Sequence, residues 1–319
     1  MIITAVIGLS GALIYGGADF LGGLAAKRLR SILVTAIAAA TGLVLFLLVA
    51  PLFGGAWTAG ALGWGALSGV FGALAVVLLY ACLAIGPMSI LSPLTAVVSA
   101  IAPLIWGLLV EGEQLSGLAY LGLGVALVAV VLVGFVPGEG IVRPRTRGIV
   151  MAIGAGVAIG GFLIVLDQPA SDSGIVPLIA SRAASLLLVS LAIAVLAVLA
   201  RLHPGVDGPF AFPTHGIPAG GTPTGHVDVA DARRPVVSGD AVGSGIALAV
   251  VCGVLDAVAN AFLLFGLRLG DLAVMSVLTA MYPAGTILLA AVVLRERIAA
   301  VQWVGLALAL AAGGLFALA

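Results

Sequence analysis

The sequence is dominated by apolar stretches long enough to cross a lipid bilayer. A spanning helix needs about 20 mostly apolar residues, and only helices keep every backbone polar group bonded within one segment in lipid. The ~10-residue alternation typical of barrel strands is absent. The sequence therefore predicts an all-α integral membrane protein with ten transmembrane helices. The segments run approximately over 3–24, 32–53, 61–84, 88–110, 117–136, 148–166, 175–200, 243–267, 272–294 and 301–319.

Composition supports this fold class and excludes others. Of the 319 residues, 63% are hydrophobic and 8% are charged, roughly a third of the charge of a soluble domain. Formal net charge is zero, so the basic surface that binds nucleic acid is not indicated. The expected surroundings are lipid, in the cytoplasmic membrane of a bacterium.

The longest connection, 201–242, is rich in Pro, Gly and Asp and is predicted to be a flexible solvated loop. It carries all three histidines, His203, His215 and His226. Their spacings of 12 and 11 residues match no common metal-ligand pattern. A metal site is the alternative interpretation of these histidines, but none is predicted.

Lys and Arg are distributed unequally between the two sides of the predicted membrane. Of the thirteen, eleven lie after odd-numbered segments, which the positive-inside rule places in the cytoplasm. Arg268 lies on the opposite side, and Arg182 lies within a segment. Both termini are therefore expected outside. The eleven are Lys27, Arg28, Arg30, Arg143, Arg145, Arg147, Arg201, Arg233, Arg234, Arg295 and Arg297.

The two halves of the chain match each other at a nearly constant offset. A shift of 184 residues aligns the third and fourth segments with the eighth and ninth, and after one residue of slippage the match resumes. The aligned pairs include Gly69 and Gly253, Ala73 and Ala257, Thr95 and Thr279, Glu113 and Glu296, and Gly122 and Gly305. The sequence therefore predicts an internal repeat.

Five helices per half is an odd number, so the halves should enter the membrane from opposite faces. The charges agree: KRLR follows the first segment, whereas the loop after the sixth has acidic residues and no cation. Such inverted repeats recur in secondary transporters. We predict a first five-helix repeat over 1–136, a linker over 137–147 and a second repeat over 148–319.

Two segments carry a resemblance to a known family. They are AIGPMSILSPLTAVVSAIAPLIWGLLVEGEQLSGLAYLGLGVAL and RLGDLAVMSVLTAMYPAGTILLAAVVLRERIAAVQWVGLALALAAG. Each resembles the EamA family of the drug/metabolite transporter superfamily, with a Pro-bearing helix, a Gly-Glu or Arg-Glu junction and a small-residue helix. IYGGADFLGG and the arginine of ASRAASLLL are also similar to family features, but the second segment, LVTAIAAATG, has no equivalent arginine. The resemblance implies two EamA-like repeats and transport of a small metabolite.

Polar residues inside the apolar segments are the candidate transport residues, because an ionised side chain at the bilayer centre costs about 2.5–3.5 kcal/mol on insertion scales. Asp256 lies near the middle of the eighth segment, and Asn260 follows one turn later on the same face. Tyr282 lies near the middle of the ninth. Together they form a candidate substrate or coupling site, with a structural hydrogen bond of Asp256 as the alternative.

Three further polar residues leave alternatives open. Arg182 is expected to bind an anionic group, to pair with Asp256 or to snorkel to the interface. Asp19 follows Tyr15 by one turn in the first segment, and either joins the site or pairs with the nearby KRLR cations.

Prolines in corresponding segments are candidate hinges, because proline removes a backbone hydrogen bond and permits a kink. They are Pro93 and Pro103 in the fourth segment and Pro283 in the ninth. Broken helices often expose carbonyls at transporter sites. Helix packing is the alternative explanation for each proline.

No catalytic triad, phosphate loop or metal cluster is recognisable, so neither an enzyme nor a bound cofactor is predicted. We expect a secondary transporter that moves a small metabolite, such as an amino acid or a similar zwitterion, by alternating access, coupled to protons or another ion. A lipid-carrier flippase, a membrane-embedded enzyme and a structural or sensory subunit are the alternatives.

Overall fold

The computed structural model describes residues 2–26, 28–85, 88–134, 146–202, 239–293 and 298–319. The predictions that fall on the remaining residues lie outside this description. They concern the three histidines, most of the linker and of the 201–242 loop, Glu296, and the cations Lys27, Arg143, Arg145, Arg233, Arg234, Arg295 and Arg297.

The described residues are almost entirely helical, and they form ten helical spans that are long and apolar enough to cross a membrane. One of these spans, Leu272–Val293, consists of two consecutive helices. This confirms the predicted fold class. A π-helical turn, Gly107–Glu111, extends the fourth helix, and a 3-10 turn, Ser171–Ser173, precedes the seventh. The helices are α1 (Ile2–Ala26), α2 (Ser31–Phe53), α3 (Ala59–Ile85), α4 (Met88–Trp106), α5 (Gly117–Gly134), α6 (Thr146–Asp167), α7 (Val176–Leu202), α8 (Gly239–Leu269), α9 (Leu272–Thr279), α10 (Tyr282–Val293) and α11 (Ala300–Leu318).

Large apolar side chains cover the outer surface, while small residues form the helix contacts. Leu48 is 70% exposed and Leu310 is 74% exposed, which lipid tolerates and water does not. Inside, Gly16 lies so close to the backbone of Tyr282 and Thr286 that an added Cβ would meet their atoms. Helices in lipid associate through such close packing because the hydrophobic effect does not drive them together there.

The two halves of the chain make reciprocal glycine contacts. Gly122 of α5 packs on Phe316 of α11, and Gly305 of α11 packs on Val133 of α5. Gly305 lies 183 positions after Gly122, and Phe316 lies 183 positions after Val133. The same offset therefore maps Gly122 onto Gly305 and Val133 onto Phe316, so the two contacts are equivalent.

The same reciprocity relates other helix pairs, while the division of the chain into two repeats stays a prediction. In each pair of contacts, one residue of the first contact lies 143 or 144 positions from its equivalent in the second. The other residue lies 183 or 184 positions from its equivalent. The counterparts are Gly16 on Tyr282 with Gly160 on Ser99, Gly17 on Leu255 with Gly161 on Phe71, and Gly253 on Ala38 with Gly69 on Ser181.

The ninth span is interrupted, although the sequence predicts it as one segment. α9 ends at Thr279 and α10 begins at Tyr282, so Ala280 and Met281 lie between two helices. This is the point at which the offset between the halves changes from 184 to 183. The second half is therefore one residue shorter here than the unbroken α4, and a missing residue turns a helix by about 100°. Pro283, in the first turn of α10, has no N–H to contribute there.

One end of the helices is fastened by contacts among four connections: α2–α3, α4–α5, α6–α7 and α8–α9. We call these four connections the junction face. The backbone N–H of Ala56 donates to the carbonyl of Asp172 (3.0 Å). Arg268, at the end of α8, donates to the Ser173 hydroxyl (2.9 Å) and to the Gly174 carbonyl.

Glu113 joins the two halves at the junction face. Its carboxylate accepts hydrogen bonds from the backbone N–H groups of Leu272 (2.6 Å) and Ala273 (3.1 Å), at the start of α9. These groups have no partner within their own helix, and the helix dipole favours a negative charge there. Burial nevertheless raises the pKa of the Glu113 carboxyl above its ordinary value, while the two N–H donors pull the pKa back down.

Candidate functional site

An ion pair between α7 and α8 is the centre of the candidate site. A guanidinium nitrogen of Arg182 lies 2.5 Å from a carboxylate oxygen of Asp256. Of the sequence-based alternatives for Arg182, the structure shows pairing with Asp256. Breaking such a pair inside a membrane protein leaves an unbalanced charge in a medium that solvates it poorly.

Asn260 holds Asp256 from the next turn of α8. Its amide nitrogen donates to the Asp256 carbonyl (2.7 Å) and to a carboxylate oxygen of the same residue (3.3 Å). Tyr15 of α1 lies close to the Asn260 side chain. The four-residue spacing of Asp256 and Asn260 therefore places both on one face, as predicted, and links that face to α1.

Asp19 and Tyr282 complete the group. Asp19 follows Tyr15 by one turn of α1 and lies near enough to Asp256 for the two carboxylates to interact electrostatically. Tyr282, the first residue of α10, lies near Asp19. The structure thus brings together all six polar candidates. We call Tyr15, Asp19, Arg182, Asp256, Asn260 and Tyr282 the polar cluster.

The side chains of the polar cluster are covered to different degrees by the helices around them. Side-chain exposure is 17% for Arg182 and 24% for Asp256, while Asn260 is buried. On the α2 side, Gly42 faces the Arg182 stem, where an added Cβ would lie 3.5 Å from Cδ and from Nε. Arg182 and Asp256 are therefore packed among helices without being completely covered by protein.

The three candidate hinge prolines differ in their surroundings. Pro93 and Pro103 both lie within the continuous helix α4. Pro283 lies directly after the interruption between α9 and α10, beside the Tyr282 of the polar cluster. A hinge role remains a prediction for all three, and the interrupted helix makes Pro283 the strongest candidate.

The counterparts of the polar cluster in the other half are apolar, apart from one serine. The contact offsets relate α1, α7, α8 and α10 to α6, α2, α3 and α4. Ser99 is the serine, and its hydroxyl donates to the Ala96 carbonyl within its own helix (2.8 Å). The counterparts are Ile159 for Tyr15, Leu163 for Asp19, Ala39 for Arg182, Gly72 for Asp256, Val76 for Asn260 and Ser99 for Tyr282.

The sequence did not point to the partners of two junction-face residues: Glu113, which joins the two halves, and Arg268, which joins α8 to the α6–α7 connection within the second half. Glu113 was seen as part of a repeated junction motif and Arg268 as a loop cation. Their partners, Leu272 and Gly174, are 159 and 94 residues away along the chain. The signal available for Glu113 was its recurrence in both halves of the repeat.

Among the described residues, no group of three or more His, Cys, Asp and Glu side chains is placed to hold a metal ion. The chemistry of the polar cluster is that of charge and hydrogen bonding.

Comparison with known proteins gives a family match in the second half. Residues 230–317 match the model of the EamA-like transporter family, which confirms the resemblance over that region. No curated protein matches the sequence of this chain.

Comparison with solved structures extends the likeness in fold to the whole chain. One of the matching chains, described only as "Crystal structure of protein", has a TM-score of 0.65 and 16% sequence identity. The alignment covers 99% of this chain and 96% of that one. At this identity the likeness shows a shared fold and nothing about the ligand.

Proposed function

From the EamA-like transporter match over residues 230–317 and from the polar cluster, we propose that this multi-pass membrane protein is a secondary transporter of a small metabolite. The observation that carries the proposal is the Arg182–Asp256 ion pair, held among spanning helices and not completely covered by protein. Intramembrane ionisable residues that face a helix bundle interior are typical of substrate and ion pathways.

The reciprocal contacts support transport by alternating access. Two related halves of opposite orientation are able to adopt two arrangements of similar energy around a shared central site. The polar cluster draws on α1 from the first half and on α7, α8 and α10 from the second. Motion of one half against the other therefore changes its surroundings.

The junction face supports a conformation that is closed at one end. Glu113 fastens the α4–α5 connection to α9, and Arg268 fastens α8 to the α6–α7 connection. Opening this end requires these hydrogen bonds to break. We assign the junction face to the outside of the cell, because the odd-numbered loops carry most of the Lys and Arg.

The composition of the polar cluster favours a small polar ligand. One arginine and two aspartates suit a zwitterion such as an amino acid, and a proton or another ion is the candidate coupling species. The span is interrupted directly before Tyr282, and interrupted helices recur at transporter binding sites.

A thermal-shift screen of detergent-purified protein against a metabolite panel tests the proposal. A ligand that binds only the folded state raises the melting temperature. We expect at least one small polar metabolite to do so, and we expect Asp256→Asn to abolish the shift. Asp271→Asn, the same substitution at the junction face, should keep it. If no metabolite shifts the wild type, or if Asp256→Asn responds like the wild type, the proposal is wrong.

A further inference from the structure

Asp19 is the member of the polar cluster whose charge is not balanced. Arg182 pairs with Asp256, and the amide of Asn260 donates to Asp256. Among the residues that the structure describes, none forms an ion pair or a hydrogen bond with the Asp19 side chain. Its electrostatic neighbour is a second carboxylate, Asp256.

Charge balance therefore defines what the polar cluster lacks. Arg182 and Asp256 neutralise each other, so ionised Asp19 leaves one negative charge in the interior of a spanning bundle. Such a charge is poorly solvated there and gains most from a cation in direct contact. An anionic ligand would instead be repelled by the ionised Asp19.

The neighbours of Asp19 suit an organic cation better than a bare metal ion. Tyr15 lies one turn earlier on the same face of α1, and Tyr282 lies close by on α10. Aromatic rings attract ammonium groups through cation–π interactions. A hard metal cation instead takes six or more oxygen ligands, and the Asp256 carboxylate beside Asp19 is already paired with Arg182.

Arg28, in the loop after α1, is hydrogen bonded to a residue other than Asp19. Arg28 donates to the Ser244 hydroxyl (2.7 Å), at the start of α8. Arg28 therefore does not form the interfacial ion pair with Asp19 that the KRLR run suggested as an alternative. The described neighbours of Asp19 are Asp256 and Tyr282.

Resting on the proposed function, we infer that the substrate carries a positively charged nitrogen and that Asp19 binds it, with Tyr15 and Tyr282 beside it. The Arg182–Asp256 ion pair remains intact when the substrate binds, so the charge of the second carboxylate stays compensated. Amines and zwitterions with a free ammonium group fit this arrangement, whereas carboxylic acids without an amine do not.

The test is a binding comparison between matched probes. The wild type is screened by thermal shift against primary amines, zwitterionic amino acids, N-acetylated amino acids and neutral sugars at equal concentration. We expect every binder to carry a cationic nitrogen. Asp19→Asn should weaken the binding of each at least about tenfold, and Asp19→Glu should restore part of it.

The stability of the ligand-free protein separates this role from a structural one. Asp19→Asn removes an unbalanced charge and should leave the melting temperature unchanged or raise it, whereas Asp256→Asn strands Arg182 and should lower it. Binders without a cationic nitrogen, or amines bound equally well by Asp19→Asn, would overturn the inference while the transporter proposal survives. The absence of any binder would overturn both.

Discussion

The polar cluster and its apolar counterpart occupy equivalent places in the two halves, yet their chemistry is opposite. The helices pack alike: Gly16 lies against Tyr282 as Gly160 lies against Ser99. Asp19 and Asp256, however, correspond to Leu163 and Gly72. The comparison teaches that packing and ligand chemistry are separable here. Both halves keep the small residues that bring helices together, and one set of helices carries the charges.

The largest difference between the two regions should come from the ion pair. Arg182→Ala or Asp256→Ala leaves the other charge unpaired and should lower the free energy of unfolding by roughly 3 kcal/mol, the low end for a buried pair because both side chains are partly exposed. The double variant should lose less than the sum. Reversible unfolding in detergent micelles measures all three, and additive losses would show that the pair is not coupled.

The matched substitution in the apolar counterpart is Leu163→Ala. Leu163 is 3% exposed, so the cavity should lower the free energy of unfolding by about 2–4 kcal/mol. Ligand affinity, measured below the melting temperature, should remain that of the wild type. If Leu163→Ala weakens ligand binding as much as Asp256→Ala does, the functional asymmetry between the regions is absent.

A smaller effect should separate the two reciprocal glycines. Gly16→Ala places a Cβ against backbone atoms of Tyr282 and Thr286, whereas Gly160→Ala meets chiefly the side-chain atoms of Ala102 and Pro103. Alanine Cβ and proline Cδ are as fixed as backbone atoms, but a Cβ at Gly160 would lie 2.9 Å from its nearest neighbour, against 2.5 Å at Gly16. We expect both to be destabilising by about 1–3 kcal/mol, with Gly16→Ala the worse. Equal or reversed melting temperatures would contradict this packing.

The smallest effect should come from the junction face. Glu113→Ala leaves the N–H groups of Leu272 and Ala273 without their acceptor, and loss of such a cap should lower the free energy of unfolding by about 1 kcal/mol. Glu113→Gln keeps one acceptor oxygen and should lose less. Hydrogen exchange at the start of α9 should rise in both, most in Glu113→Ala. Unchanged exchange would mean that Glu113 does not fasten α9.

The sequence was sufficient for features that depend on neighbouring residues. Apolar length located all ten spans, and a four-residue spacing placed Asp256 and Asn260 on one face. The division into two repeats stays a prediction, and the one-residue slip in its offset lies where α9 and α10 separate. The change of the offset from 184 to 183 did not by itself predict an interrupted helix. A continuous helix that is one residue shorter, and therefore rotated beyond that point, would give the same offset.

Features that depend on distant segments were not predictable. Three partners remained open for Arg182, because the choice depends on how closely α7 approaches α8. Glu113 lies 159 residues from Leu272, and no periodicity connects them. The apolar counterpart of the cluster became recognisable only when the packing fixed the offsets of α1 and α2 as well as those of α3 and α4.

Transport by reconstituted protein tests the central claim most directly. Proteoliposomes containing the wild type, Asp256→Asn or Asp271→Asn would be loaded with a metabolite identified by thermal shift, and exchange of labelled ligand would be measured with and without a proton gradient. We predict saturable exchange by the wild type and by Asp271→Asn, and none by Asp256→Asn. Exchange by Asp256→Asn at the wild-type rate, or its absence from the wild type under every gradient, would contradict transport through the polar cluster.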